Sequence, residues 1–88
     1  MRVFLLLATV LALPAGVALA DSPPTAAEKA KIMAVLQAEG CADPREVERE
    51  TDFGRLEGFE VEDAKCADGI YDFALDVNFK IVERDRDD

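Results

Sequence analysis

Two cysteines, Cys41 and Cys66, are the residues of this 88-residue chain whose chemistry is easiest to predict from the sequence. Their spacing is far from the C-x-x-C of redox pairs, and the chain has no histidine to complete a zinc or copper site. In an exported protein, a disulfide is the first interpretation of such a pair. A redox or metal pair is the weaker alternative.

The sequence offers few residues that could act in nucleophilic catalysis. The chain contains no histidine, and Ser22 lies in a polar segment before the first helix, so a serine activated by a base is not expected. Carboxylates are abundant, but the sequence indicates no apolar cleft that would shift their pKa values. We expect no enzymatic activity, no catalytic residue, no cofactor and no bound metal.

Carboxylates form two clusters along the chain. The first is Glu57, Glu60, Glu62 and Asp63, and the second is Asp85, Asp87 and Asp88. The second cluster lacks the glycine and the distant bidentate glutamate of a calcium-binding loop. A solvated surface, weak cation binding and contact with a basic partner all fit these clusters.

Residues 1–20 have the three regions of a signal peptide. Arg2 is followed by an apolar run at 3–13, which is too short to span a bilayer, and small residues precede the expected cleavage between Ala20 and Asp21. We therefore expect a periplasmic or secreted protein that keeps no stable membrane anchor.

The mature chain, residues 21–88, is long enough for one small domain. Removal of Arg2 changes the formal charge from −9 to −10. Such an acidic chain repels nucleic acid and anionic membrane surfaces, so neither is an expected partner.

One amphipathic helix is predicted near the start of the mature chain. Thr25 stands three residues before Glu28, which is the spacing of a capping box, and residues 26–39 are rich in good helix formers. An apolar stripe that includes Ile32 and Leu36 predicts the face that packs on a sheet.

Strands are predicted beyond the helix. Residues 47–53 form a highly charged candidate for an edge strand. Phe59 and Val61 alternate with glutamates, which predicts a half-buried strand over 56–65. The Asp-Gly pair at 68–69 then suits a tight hairpin turn, because both residue types tolerate positive φ.

A second hairpin is predicted within YDFALDVNFKIV, residues 71–82. A three-residue loop at 76–78 places Leu75 opposite Phe79 and gathers the apolar side chains under the helix. Asn78 is then the residue expected in the left-handed conformation.

This order of elements resembles the PepSY domain, in particular the small exported single-domain proteins of Gram-negative bacteria. The resemblance is carried by the helix TAAEKAKIMAVLQAEGC, the strand GFEVEDAKCADG and the closing stretch YDFALDVNFKIVERD. Tyr71, Asp76, Lys80 and Val82 fall where the family pattern expects them. Many family members have glycine in place of Phe79, and this departure leaves the type of turn open.

The resemblance implies an α+β fold, in which one N-terminal helix packs on an antiparallel sheet of three to four strands. With the expected disulfide between Cys41 and Cys66, the domain covers residues 25–85. A disordered lead-in at 21–24 and an acidic tail at 86–88, which frays into solvent, complete the predicted organisation.

The resemblance also implies a function of the binding class. No enzymatic activity belongs to the family, and no catalytic residue is carried over from it. We expect a protein that binds or modulates an envelope protein, with a peptidase as one candidate partner. The alternative is a small acidic periplasmic protein with weak cation binding.

Overall fold

The computed structural model describes residues 21–87. The predicted signal peptide at 1–20 and the last residue, Asp88, lie outside this range. Within it the chain forms a helix and a six-stranded sheet, which we number in chain order. The elements are β1 (Asp21–Ser22), α1 (Ala26–Ala38), β2 (Cys41–Ala42), β3 (Glu46–Asp52), β4 (Arg55–Cys66), β5 (Gly69–Leu75) and β6 (Ile81–Arg86).

The strands form one antiparallel sheet with the order β1-β3-β4-β5-β6. Strand β2 pairs with the end of β4 that extends past β3. Strand β4, with 12 residues, is the longest and pairs with β2, β3 and β5. Helix α1 packs on one face of this sheet through its buried side chains.

The predicted fold class, α+β with one helix on three to four strands, is wrong. The described chain is mostly antiparallel sheet, and its helix is short. Strands β1 and β2 have two residues each, too few to show the alternation by which strands are recognised in a sequence. Backbone pairing with a neighbouring strand decides their structure. The disulfide included in the prediction is present.

Helix α1 begins where the capping box predicts. The Thr25 hydroxyl accepts a hydrogen bond from the Glu28 N–H (3.1 Å), and the Glu28 carboxylate accepts one from the Thr25 N–H (2.9 Å). Ile32 and Leu36 are fully buried. Gly40, with φ of 79°, takes the left-handed conformation that commonly follows a helix end.

The core lies between α1 and the centre of the sheet. It includes Phe59 and Val61 of β4 and Phe73 and Leu75 of β5, all of them buried. A Cβ atom at Gly58 would overlap the backbone carbonyl of Leu75. The close approach of β4 to β5 at this point therefore requires glycine.

The loop between β5 and β6 is longer than predicted. It spans residues 76–80, and Leu75 pairs with Ile81 where the sequence predicted Phe79. Phe79, with φ of 66°, adopts the left-handed conformation expected for Asn78. The predicted register and the predicted left-handed residue are both wrong.

The side chain of Asp76 explains the longer loop. Its carboxylate accepts hydrogen bonds from the N–H groups of Asn78 (2.8 Å) and Lys80 (2.9 Å), and its own N–H donates to the Lys80 carbonyl (2.9 Å). The Phe79 ring stacks on Phe59 with centroids 4.9 Å apart. Stacking and burial offset the left-handed conformation, which costs a non-glycine residue about 1–2 kcal/mol.

Both ends of the described chain pair with the sheet, although the sequence shows no apolar pattern there. The predicted disordered lead-in at 21–24 begins with β1, which pairs with β3. The predicted tail is strand up to Arg86, and the Asp87 N–H donates to the Ile70 carbonyl (2.7 Å). Backbone hydrogen bonds, rather than side-chain burial, place both segments.

Two phenylalanines in the left-handed conformation offer a matched test of this packing. Phe53 (φ 52°) is fully exposed at the tip of the β3–β4 hairpin, whereas Phe79 is partly buried and stacks on Phe59 of the core. Asparagine adopts this conformation more readily than phenylalanine. We expect Phe53→Asn to raise the free energy of unfolding by about 0.5–1 kcal/mol and Phe79→Asn to lower it by about 2 kcal/mol. Urea unfolding measures both, and a change of the same sign in the two variants would contradict this account.

The disulfide offers a second test. Cys41 and Cys66 lie directly opposite each other in β2 and β4, with Cα atoms 4.0 Å apart and a sequence separation of 25. We expect the C41A/C66A variant to lose about 3.5 kcal/mol of unfolding free energy, because its unfolded chain is no longer cross-linked. Reductant should destabilise the native protein by a similar amount and leave the double variant unchanged. If reductant also destabilises the double variant, then its effect on the native protein does not come from the disulfide alone.

Candidate functional site

The sheet has two chemically different faces. Side chains alternate along a strand, and residues paired across neighbouring strands share a face. Phe59 and Val61 of β4 pair with Leu75 and Phe73 of β5, and these four pack against α1. Glu60 therefore points to the opposite face, which helix α1 does not cover.

Carboxylates from four strands line this opposite face, which we call the acidic face. Its members follow from the pairing of β3, β4, β5 and β6. They are Glu46, Glu48, Glu50, Glu60, Glu62, Asp72, Glu83 and Asp85. Glu48, Glu60, Ala74 and Glu83 pair in succession across the four strands, and we call them the middle row. Ala74 is its uncharged residue.

Several of these carboxylates stand directly opposite one another on paired strands. The pairs are Glu46 with Glu62, Glu48 with Glu60, and Asp72 with Asp85. Like charges in cross-strand positions destabilise a sheet. Arg45 forms ion pairs with both Glu46 and Glu62, so the electrostatic cost lies with the other two pairs, and the folding of the sheet does not require it.

Glu60, at the centre of the acidic face, has a raised pKa, which reflects its partial burial and this electrostatic cost. Partial burial is the largest cause of its raised pKa, and repulsion by neighbouring carboxylates adds to it. Those neighbours are Glu50, Glu62, Asp72 and Glu83. A hydrogen bond with Asp85 likewise raises the pKa of Glu83. Positive charge brought to this face would relieve the repulsion.

A shallow depression of about 180 Å³ lies on the acidic face. Its lining residues are Glu60, Asp72, Phe73, Ala74, Glu83 and Asp85. Sites for small-molecule ligands usually have volumes of about 300–1,000 Å³. The depression is therefore better suited to a single lysine or arginine side chain than to a whole cofactor.

Two arginines of the sheet lie on the helix side instead. Arg49 of β3 donates to both carboxylate oxygens of Glu28 in the first turn of α1 (3.0 and 3.3 Å). Arg84 of β6 forms an ion pair with Glu39, just after the helix (3.5 Å). The backbone hydrogen bond from Thr25, together with Arg49, lowers the pKa of Glu28. These pairs join both ends of α1 to the sheet.

A further carboxylate group lies at the rim of the acidic face, where β4 bulges. Asp63 (φ 55°) donates its N–H to the Asp72 carboxylate (2.9 Å) and accepts a hydrogen bond from Arg45 (2.6 Å). The Arg45 hydrogen bond lowers the pKa of Asp63, whereas a hydrogen bond with Asp63 raises the pKa of Asp87. The rim therefore holds an arginine bound between its carboxylates rather than an array of free charges.

Two sets of carboxylates are close enough to approach one cation. The oxygens of Glu46, Glu48 and Glu62 lie within 4.8 Å of one another, as do those of Asp63, Asp72 and Asp87. Calcium and magnesium prefer such oxygen ligands. Arg45, however, forms ion pairs with members of both sets, so its positive charge competes with any cation.

A groove of about 410 Å³ lies between the lead-in, α1 and the start of β3. Its lining residues are Pro23, Pro24, Lys29, Met33, Asp43, Pro44, Arg45, Glu46 and Val47. They include no serine, cysteine or histidine. The groove therefore offers no serine or cysteine nucleophile paired with a histidine base.

The structure brings the two predicted disulfide residues, Cys41 and Cys66, together. The disulfide indicates a non-reducing environment. Ala20, on one side of the predicted cleavage, lies outside the described residues, and Asp21, on the other side, opens β1.

The predicted acidic clusters are divided by the fold. Glu60 and Glu62 lie on the acidic face, whereas Asp63 turns to the rim at the bulge. Asp85 belongs to the same face, although it is distant in sequence. The sequence grouped carboxylates that are neighbours along the chain, but pairing between strands decides which of them meet.

Sequence reasoning missed the contributions of β3, β5 and the start of β6. Glu46, Glu48 and Glu50 alternate with Val47 and Arg49, and this period of two was a usable signal. It predicts that three glutamates share a face. It does not predict which residues of β4 oppose them, because the bulges shift the register.

Comparisons with models of protein families, with curated proteins and with solved structures find no match for this chain. The resemblance to the PepSY domain therefore stays a prediction from the sequence. No helix within residues 21–87 has the length and apolarity that crossing a bilayer requires.

The raised pKa of Glu60 makes a test by pH possible. Because its carboxyl binds a proton more tightly in the folded state, the protonated form favours the fold, and this stabilisation is lost as pH rises through the raised pKa. We expect Glu60→Gln to have a higher Tm than the native protein at pH 7. The difference should vanish below about pH 4, where glutamate is protonated in both states.

Thermal unfolding followed by circular dichroism measures this difference across pH. The control is Glu57→Gln, which removes one charge near the hairpin end of β4, where Glu57 forms an ion pair with Arg55 (3.7 Å). Glu57→Gln should not raise the Tm at pH 7. Equal gains in both variants would show that net charge, not the crowding around Glu60, is responsible.

Proposed function

We propose that this protein is a non-enzymatic, exported binding protein that uses its acidic face to engage a basic surface of an envelope protein. The observation that carries the proposal is the set of carboxylates that β3, β4, β5 and β6 place on one face, some of them directly opposite one another in the β3–β4 and β5–β6 pairs. The arrangement lowers stability in the free protein. A basic partner would turn this repulsion into attraction.

The shape of the acidic face supports the same function. It is a sheet surface with a shallow depression among its carboxylates, so it offers contact area to a protein and room for a single side chain. Complementary charge of this kind speeds association and selects partners more than it adds affinity. Binding should therefore weaken as salt screens the charges.

The class of partner follows from the compartment and the resemblance. The disulfide fits an oxidising location such as the periplasm. The PepSY proteins that the sequence resembles are proposed to modulate peptidases or to bind at the cell envelope. A peptidase with a basic surface is accordingly one candidate partner, and we propose no catalytic role for this chain itself.

Weak binding of divalent cations is the competing function. It rests on two groups of carboxylate oxygens, one on the acidic face and one at its rim, and Arg45 opposes it at both. Calorimetry with calcium separates the two functions. Saturable binding tighter than about 10⁻⁴ M, the range of extracellular calcium modules, would favour the cation function.

A lysine decamer is a direct probe of the acidic face. We expect the E60Q/E83Q variant, which removes two charges from the middle row, to bind it about tenfold more weakly than the native protein at low salt. Isothermal titration calorimetry or fluorescence anisotropy measures the affinity. Raising the salt concentration should bring the two proteins toward equal, weak binding.

The matched control is D43N/E57Q, which removes the same charge from exposed positions outside the middle row. Its affinity for the decamer should stay close to that of the native protein. An equal loss in both variants would mean that the peptide responds to net charge alone, and the acidic face would lose its status as the binding site.

A further inference from the structure

Strand β6 ends the sheet, and the described residues provide no strand beyond it. Residues 82–86 are exposed, and Val82 keeps 62% of its surface in solvent. An edge of this kind presents backbone donors and acceptors that can pair with another extended chain.

The hydrogen bonding of the last residues shows which groups point outward. The Asp87 N–H donates to the Ile70 carbonyl of β5. Hydrogen-bonded and non-hydrogen-bonded pairs alternate along an antiparallel ladder, so Asp85 also bonds toward β5. The N–H and C=O of Arg84, the residue just before Asp85, therefore point away from β5 toward the open edge.

The acidic and basic side chains of β6 lie on opposite faces of the sheet. Glu83 and Asp85 share the acidic face through their pairing with Ala74 and Asp72. Arg84 lies on the helix side, with its guanidinium 4.4 Å from the centre of the Tyr71 ring. An incoming strand would therefore meet acidic groups on one of its faces and a cation on the other.

A second copy of this chain is a poor occupant of that edge. Antiparallel pairing centred on Arg84 would place Arg84 opposite Arg84 and Glu83 opposite Asp85. Centring the pair on Glu83 or Asp85 instead would oppose identical carboxylates. Each register sets like charges against each other, and it would also join two acidic faces side by side.

We propose that the β6 edge binds an extended segment of a partner protein, added as a further antiparallel strand, with lysine or arginine at alternate positions. The proposal rests on the proposed function and specifies the form of the partner. The cations of the segment would continue the middle row past Glu83 and lie beside Asp85. Its intervening residues would lie on the helix side, near Arg84, and their N–H groups would point at the β6 edge.

Synthetic peptides test this arrangement in the intact protein. The first probe is acetyl-Thr-Lys-Thr-Lys-Thr-Lys-Thr-amide, and the second has the same composition with its three lysines in one block. We expect the alternating peptide to bind about tenfold more tightly, since it alone combines the charges with edge hydrogen bonds. Hydrogen exchange at the Arg84 amide should slow on binding.

Two methylated peptides provide the matched control. In the antiparallel geometry the threonine opposite Arg84 donates to β6, while the lysine N–H groups point away from it. Methylation of the threonine nitrogens should therefore remove the tenfold advantage. Methylation of the lysine nitrogens should leave it in place, although charge and composition are the same.

The outcomes separate this inference from the proposed function. Equal, salt-sensitive binding of all four peptides, with no change at the Arg84 amide, would overturn strand addition and leave the acidic face as a binding site. Loss of affinity on lysine methylation but not on threonine methylation would also overturn it. If no peptide binds at low salt, both proposals fail.

Discussion

The pairing of β4 with its neighbours is the constraint on which the rest of the structure depends. It joins β3 and β2 on one side to β5 on the other. One register sends Phe59 and Val61 to the core and sends Glu60 and Glu62 to the opposite face. A slip by one residue would exchange the two sets, burying carboxylates and exposing the phenylalanine. Core and acidic face are thus two consequences of the same pairing.

The charges that stabilise the fold and the charges proposed to bind a partner lie on different faces of the sheet. Arg49 and Arg84 lie on the helix side, where their ion pairs with Glu28 and Glu39 hold α1 on the sheet. The acidic face keeps its carboxylates opposite one another. Exchanging an arginine with a glutamate across the sheet would balance both faces but remove a contact to the helix. The fold places Arg49 and Arg84 where they hold the helix. Arg45 relieves only the carboxylates near the rim, so repulsion remains at the centre of the face without a helix.

Sequence patterns predicted the elements that carry strong local signals. The capping box at Thr25 and Glu28 marked the start of α1, and the alternation around Phe59 marked most of β4. The same reasoning failed at the 76–80 loop, because the Asp76 carboxylate closes it by hydrogen bonds that span several residues. A phenylalanine in the left-handed conformation is not predictable from turn preferences, since its packing partner, Phe59, is distant in sequence.

The fold class was wrong because strand pairing is a non-local property. Strands β1 and β2 exist only through their neighbours, β3 and β4. For the same reason, the sequence predicts only part of the acidic face. Alternating glutamates in β3 were readable, but their meeting with Glu60 and Glu62 depends on a register that two bulges in β4 interrupt. Composition showed that the chain is acidic without showing where its charge collects.

A small domain with a repulsive face needs stabilisation from elsewhere, and the disulfide lies in a position to supply it. Cys41 follows the helix and Cys66 ends β4, so the cross-link ties the helix connection to the strand that organises the sheet. Cross-linking acts mainly on the unfolded chain and leaves the folded surface unchanged. The acidic face can therefore keep its repulsion while the protein stays folded. Any cationic partner that relieves the repulsion must, by linkage, also stabilise the fold.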